Sequence, residues 1–265
     1  MMSMVEPGSQ AEQVGRLVLA VVVILFLPAL PFGNYLIYPF SILTTWFHEM
    51  GHGMTAILMG QDFERLLIFA DGSGVAESTL DGDAGAVTRA AIAAGGPLAP
   101  SVVGSVLILA SSNQKYWRPA LFTLAAIIAG STLFYVRSGV GLAMLPLVGA
   151  LIGLVAWRAS DGLARFALQF LGVLAAMSMM RDFNYLFTER ATIGGTSMLS
   201  DTGAIEEALF LPHWFWAAAI IIVSAVMIGA SLKYALRDQR RPPRPPRNSN
   251  LRKPDNVLQF RDRRD

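Results

Sequence analysis

Residues 35–60 read YLIYPFSILTTWFHEMGHGMTAILMG, an apolar run interrupted by His48-Glu49-Met50-Gly51-His52. A run of this length suits a helix that crosses a membrane. The interruption has the form H-E-x-x-H. On an α-helix, residues four apart share a face about one turn apart. His48 and His52 can therefore present two imidazole nitrogens to one metal ion, with Glu49 beside them as a general base. Ionisable side chains within a span are costly unless paired or metallated, and so read as functional. Two histidines acting only as hydrogen-bonding glue between helices would leave Glu49 unexplained.

The composition around this stretch sets the class. Hydrophobic residues make up 54% of the 265-residue chain and charged residues 15%, with a mean hydropathy of +0.48. These values exclude an ordinary soluble domain and describe a polytopic membrane protein. Cysteine is absent, which removes disulfides and thiolate ligands and leaves His, Asp and Glu to build a metal site. Met1 to Gln13 carries Glu6 and Glu12 in place of a basic signal region, so the first apolar run is expected to be a retained span.

Apolar runs predict about seven spans: Val14 to Leu30, Tyr35 to Gly60, Ala86 to Leu109, Trp117 to Val136, Val140 to Trp157, Leu163 to Met180, and Trp214 to Leu236. After the second, Phe63 to Phe69, the turn Asp71-Gly72-Ser73-Gly74 and Val75 to Ser78 predict a β-hairpin placed to hold an extended substrate. The expected fold is an all-α polytopic membrane protein of about six to seven transmembrane helices, with a short β-hairpin insert after the second. Residues 1–13 form an N-terminal tail, 14–236 a transmembrane metallopeptidase-like domain that includes Thr188 to Pro212 as a polar loop before the last span, and 237–265 a basic Pro/Arg-rich tail. No internal repeat links the two halves, which argues against a transporter.

The tail from Arg237 holds ten of the 21 Lys and Arg residues, which places the C-terminus in the cytoplasm. Seven spans then put the N-terminus outside. Arg240 to Arg247 is expected to extend as polyproline against anionic lipid headgroups. The expected partners are a membrane-protein substrate and the lipid bilayer, with no nucleic acid.

A hydrolytic Zn²⁺ needs a third protein ligand and one open position. Asp182, closing the sixth span, is the first candidate and Asp201 the alternative, with Glu64, Glu77 and His213 behind them. An ion pair with Arg181, Arg137 or Arg190 is the structural alternative for Asp182. For Asp201 it is the cap of a helix starting near Thr202, with Glu206 and Glu207 in its first turns. Gly95 and Gly96 suit close helix packing and are candidate substrate contacts. The methionines from Met177 to Met180 read as packing. A catalytically inactive, protease-like membrane scaffold is the alternative to an enzyme.

His48 to His52 within a span, Gly60 with the β-like insert through Asp71-Gly72-Ser73-Gly74-Val75, and Gly95-Gly96 at the start of the next span form a recognisable set. Together they resemble the site-2 protease family of intramembrane zinc metallopeptidases, in particular its bacterial B-like branch. Arg181 to Leu186 and Ser200-Asp201 look like the paired Asp-containing segments of that branch, so the resemblance covers about Tyr35 to Glu207. It implies zinc on His48, His52 and one downstream aspartate, with Glu49 as general base. It also implies peptide hydrolysis within the membrane plane by a multi-pass protein of a bacterial inner membrane.

Overall fold

The apolar runs fold as helices because a backbone in hydrocarbon must satisfy its own hydrogen bonds. The computed structural model describes residues 10–82, 84–181 and 183–237. Helix α1 (Gln10–Phe26) passes through a 3₁₀ turn at Leu27–Ala29 into α2 (Gly33–Leu58). A first hairpin, β1 (Asp62–Ile68) and β2 (Gly74–Thr79), leads to α3 (Ala86–Ser111), α4 (Gln114–Phe134), α5 (Gly139–Arg158) and α6 (Asp161–Arg181). The short α7 (Phe183–Leu186) precedes a second hairpin, β3 (Arg190–Ile193) and β4 (Thr196–Leu199), then α8 (Asp201–Leu209) and α9 (His213–Ala235). Asp182 and the tails at 1–9 and 238–265 lie outside the described residues.

Among the described residues, six helices are long and apolar enough to cross a membrane: α1, α3, α4, α5, α6 and α9. Helix α2 carries the polar H-E-x-x-H and is the seventh long helix; its 26 residues reach about 39 Å at 1.5 Å per residue. Leu133, Phe134, Ile222 and Val226 are each more than 60% exposed, a surface that suits lipid and not water. The protein is an integral membrane protein.

Ile42, Leu43, Trp46 and Phe47 of α2 are almost fully buried, packed in one cluster with side chains of α4, α5 and α6. Trp46 Nε1 donates to Ser131 Oγ at 3.0 Å, which satisfies the one polar atom of a buried indole. Helices α2 and α3 approach backbone to side chain. A Cβ on Gly51 would lie 2.3 Å from the Gly95 carbonyl oxygen, and one on Gly95 would lie 2.2 Å from Thr55 Oγ1. Small residues permit this proximity in a membrane bundle.

The first hairpin is docked along β1. The Leu66 amide donates to the Tyr135 carbonyl (2.9 Å), the Arg137 amide donates to the Leu66 carbonyl (3.0 Å), and Phe63 stacks on Tyr135 with ring centroids 4.3 Å apart. The outer edge of β1 is thereby occupied by the end of α4, and β2 faces inward toward α2. In the loop, Asp71 Oδ1 accepts the Ser73 amide (2.9 Å) and hydroxyl (2.7 Å). These bonds hold the Asp71 carboxyl below its ordinary range.

The second hairpin falls where the sequence reading places a polar loop. Ile193 pairs with Thr196 across Gly194-Gly195, whose φ values are +56° and +82°. Two successive positive φ angles match the right-handed twist of a tight hairpin and favour glycine at both positions. The hairpin tips touch: the Gly194 amide donates to Ser73 Oγ at 3.4 Å, and a Cβ on Gly194 would lie 2.6 Å from the Phe69 ring.

The bundle ends differ in charge. Arg118 donates to the Ala156 and Ala159 carbonyls and pairs with Asp161 at 2.9 Å, while Arg16 donates to the Gly162 carbonyl. Leu17 of α1 packs with Leu232 and Leu236 at the end of α9. The start of α1, the start of α6 and the end of α9 therefore share one end, and the hairpins lie at the other end of α4. The expectation from seven spans put the two chain ends on opposite sides. Hydropathy counts helices long enough to cross, and packing decides which way each one runs.

Candidate metal centre

His48 and His52 project from one face of α2, with ring centroids 5.0 Å apart and Nε2 atoms 3.2 Å apart. The i, i+4 spacing sets this pairing locally. The rest comes from α3. His52 Nδ1 lies 2.7 Å from the Ile92 carbonyl oxygen, which only accepts, so Nδ1 carries the proton and Nε2 presents a lone pair. Pro97, inside α3, has no amide for the carbonyl four residues before it, which loosens the helix ladder beside Ile92. Gly96 completes the fit: a Cβ there would lie 2.0 Å from His52 Nε2.

Asp201, the first residue of α8, completes the group. Its Oδ2 is 3.0 Å from His48 Nε2 and its Oδ1 is 3.2 Å from His52 Nε2. Four contacts hold it there. Ser200 caps α8 by accepting the Gly203 amide at 3.0 Å, the Ser200 hydroxyl donates to the Thr188 carbonyl, and its amide donates to the Glu189 carbonyl at 2.9 Å. Thr202 Oγ1 donates to the Leu186 carbonyl at 2.7 Å. The cap is thus Ser200, one residue before Asp201, which frees the Asp201 carboxylate to face the histidines.

The three side chains can each offer one ligand atom within 4.8 Å of the others. Their closest separations of 3.0 to 3.2 Å lie near the roughly 3.3 Å edge of a tetrahedron with 2.0–2.1 Å bonds, the geometry of zinc with imidazole and carboxylate. Asp201 Oδ2 is buried without a hydrogen bond of good geometry. Two imidazole nitrogens and a carboxylate turned to one point are the nitrogen and oxygen donors that zinc takes, so the donor set fits a metal ion.

Glu49 is 6% exposed and rests against β2, where a Cβ on Gly74 would lie 2.7 Å from its Cγ and 3.0 Å from its Oε1. Thr45 fixes the same turn by donating to the Gly72 carbonyl at 2.6 Å. A cleft of about 400 Å³ opens over this group, walled by β2, the second hairpin, Ile92, Tyr185 and α8, with Arg89 and Glu207 also lining it.

The structure brings together His48, Glu49, His52 and Asp201 of the residues singled out in the sequence. Gly95 and Gly96 face α2, at Thr55 and His52. Glu64 and Glu77 lie on the first hairpin, bonded to Thr79 and Arg65. His213 pairs through Nδ1 with Glu206 at 2.8 Å. Tyr185 and the second hairpin line the cleft without having been given a role from the sequence. The Gly194-Gly195 pair between Thr192-Ile193 and Thr196 was the legible signal for that hairpin, whereas nothing local marks Tyr185.

Fold and site together define a polytopic membrane protein in which an H-E-x-x-H helix is completed by an acidic side chain from a distant segment. The peptidase M50B-like family matches residues 17–231, and the chain belongs to it, in agreement with the site-2 protease resemblance. No curated protein and no solved structure matches the chain at a significant level.

Proposed function

We propose that the protein is an intramembrane zinc metalloprotease that hydrolyses peptide bonds of membrane-embedded substrates. The observation that carries this reading is the convergence of His48, His52 and Asp201 on one point of a cleft that also holds Glu49. His48, His52 and Asp201 would hold the zinc. Zinc, when bound, supplies Lewis acidity that polarises a carbonyl and lowers the pKa of water toward neutrality.

The other steps belong to the chain. Glu49 takes the proton of the attacking water and returns it to the leaving amine. Its place against Gly74 allows it little freedom to turn away. A helical substrate hides its carbonyls in its own hydrogen bonds, so the substrate must be unwound before attack. β2 lines the cleft through Gly74, Val75, Ala76 and Ser78, and its edge away from β1 offers an extended segment backbone partners. The basic end of the bundle supports a cytoplasmic C-terminus by the positive-inside rule, and the resemblance to the bacterial B-like branch supports placement in a bacterial inner membrane.

The test uses the purified full chain in liposomes with a labelled single-span reporter peptide. Elemental analysis should find one zinc per chain, lost in His48→Ala and Asp201→Ala and kept in Asp182→Ala. Glu49→Gln should keep zinc and lose cleavage by roughly 10²-fold or more. Full cleavage by Glu49→Gln would sink the reading. Folded wild-type chain without zinc would favour the inactive scaffold.

A further inference from the structure

Tyr185, on α7, faces the same cleft as His48, Glu49, His52 and Asp201. Its ring meets His48 edge to face, with centroids 6.4 Å apart and planes at 71°. Its hydroxyl oxygen accepts the Asp201 backbone amide at 3.2 Å. Neighbouring contacts hold it on both sides: Leu186 is 1% exposed and its carbonyl accepts Thr202 Oγ1 at 2.7 Å. Helix α7 is thereby tied to the start of α8, so the phenol and the third metal-type ligand move as one unit.

A phenol is both acceptor and donor, with one proton to give. The Asp201 amide uses the acceptor side. The Asp201 carboxylate also takes a hydrogen bond from this phenol, and a substrate carbonyl oxygen that enters the cleft competes with it for the same proton. Glu49 reaches the group from α2 on the side packed against β2, and Tyr185 reaches it from α7. The other polar side chains of the lining include Arg89 and Glu207, both exposed. Tyr185 is the rigid neutral donor beside the ligands.

We infer that Tyr185 is a further catalytic residue, which donates its hydroxyl hydrogen bond to the scissile carbonyl oxygen as that oxygen becomes an oxyanion. The inference rests on the protease reading above. In the step it serves, the water oxygen bonds to the carbonyl carbon while the water proton passes to Glu49. The carbonyl π pair moves onto the oxygen, where the phenol meets it. On collapse the C–N bond breaks, the pair returns to re-form C=O, and Glu49 protonates the amine. Tyr185 keeps its proton throughout. A preorganised donor aimed at developing charge in a water-poor site is worth far more than one in bulk water.

Tyr185→Phe removes the donor and keeps the ring against His48. With the reporter peptide in liposomes, kcat should fall about 10²- to 10³-fold and KM should stay within about twofold, since the donor acts in the transition state. Zinc should remain at one per chain with unchanged resistance to chelators. A phosphinic analogue of the reporter peptide, which carries a tetrahedral anion, should bind more weakly by a factor similar to the loss in kcat. Zinc lost together with activity would show that Tyr185 positions Asp201 and would overturn the assignment. Unchanged kcat in Tyr185→Phe beside an active wild type overturns the assignment alone. A zinc-loaded wild type that cuts nothing overturns the protease reading and this assignment with it.

Discussion

Replacing Gly96 with alanine tests the geometry of the metal group most directly. The new methyl would lie 2.0 Å from His52 Nε2, 2.3 Å from Cε1 and 2.6 Å from Cδ2. Ordinary contact begins at 3.4 Å, so the nitrogen must retreat by about 1.4 Å, the difference between 3.4 and 2.0. Metal–ligand distances tolerate only about 0.2 Å. The ring cannot turn away freely, because its Nδ1 is held by the Ile92 carbonyl at 2.7 Å. Disturbing only the partner of a ligating histidine costs about 10- to 100-fold in metal affinity, so displacing the ligand itself should cost at least about 100-fold. Competition with a zinc chelator, followed by elemental analysis of the protein, reads this loss. Gly104→Ala is the control: its Cβ would lie 2.8 Å from the Gly172 carbonyl oxygen, far from the histidines, so it should lower Tm and leave zinc affinity unchanged. Gly96→Ala protein with wild-type zinc affinity would refute the placement of His52. Intact zinc binding with a raised KM would instead make Gly96 a substrate contact.

Two further outcomes follow from the α8 region. Ser200→Ala removes the cap that accepts the Gly203 amide and the hydroxyl bond to Thr188; loss of the cap alone costs about 1 kcal/mol, and zinc affinity should fall because Asp201 is the next residue. Ser200→Thr should restore most of both, and a Ser200→Ala chain with unaltered zinc affinity would show that Asp201 is held without its cap. Glu206 is kept below its ordinary carboxylate range by hydrogen bonds from the His213 amide and ring. A depressed carboxylate stabilises above its unfolded value of about 4.3 and loses that contribution as pH falls through the folded value. Glu206→Gln should therefore lower Tm at pH 7, with the difference from wild type shrinking below about pH 4. A Tm difference independent of pH would show that charge at Glu206 is not what joins α8 to α9.

Much of the fold was legible because its signals are local. Hydropathy over about twenty residues marks a span wherever the span packs, and the long helices fall close to the expected runs. Asp71-Gly72-Ser73-Gly74 announced the first hairpin through residues that accept its turn. The second hairpin carried an equally local signal in Gly194-Gly195, and its strands of four residues each were too short for an alternating pattern to stand out. The direction of each helix was not legible, since charge and hydropathy do not show that α1 begins beside α6 and the end of α9.

At the site, the sequence by itself determined that His48 and His52 share a face with Glu49 beside them, because the α-helical repeat fixes the relation between residues one turn apart. Asp201 was decided only by the tertiary structure. It lies 149 positions beyond His52, from 201 less 52, and Asp182 offered the same carboxylate in a similar polar setting. What brings Asp201 beside the histidines is a pair of side-chain bonds: the Ser200 and Thr202 hydroxyls donate to the Thr188 and Leu186 carbonyls and turn the residue between them toward α2. Gly96 likewise reads in sequence as one more small residue of a membrane helix, and only the approach of His52 gives it a task. Periodicity tells which face of an element is special. Which element comes to meet that face is settled by packing across the bundle, where the partners are far apart in the chain.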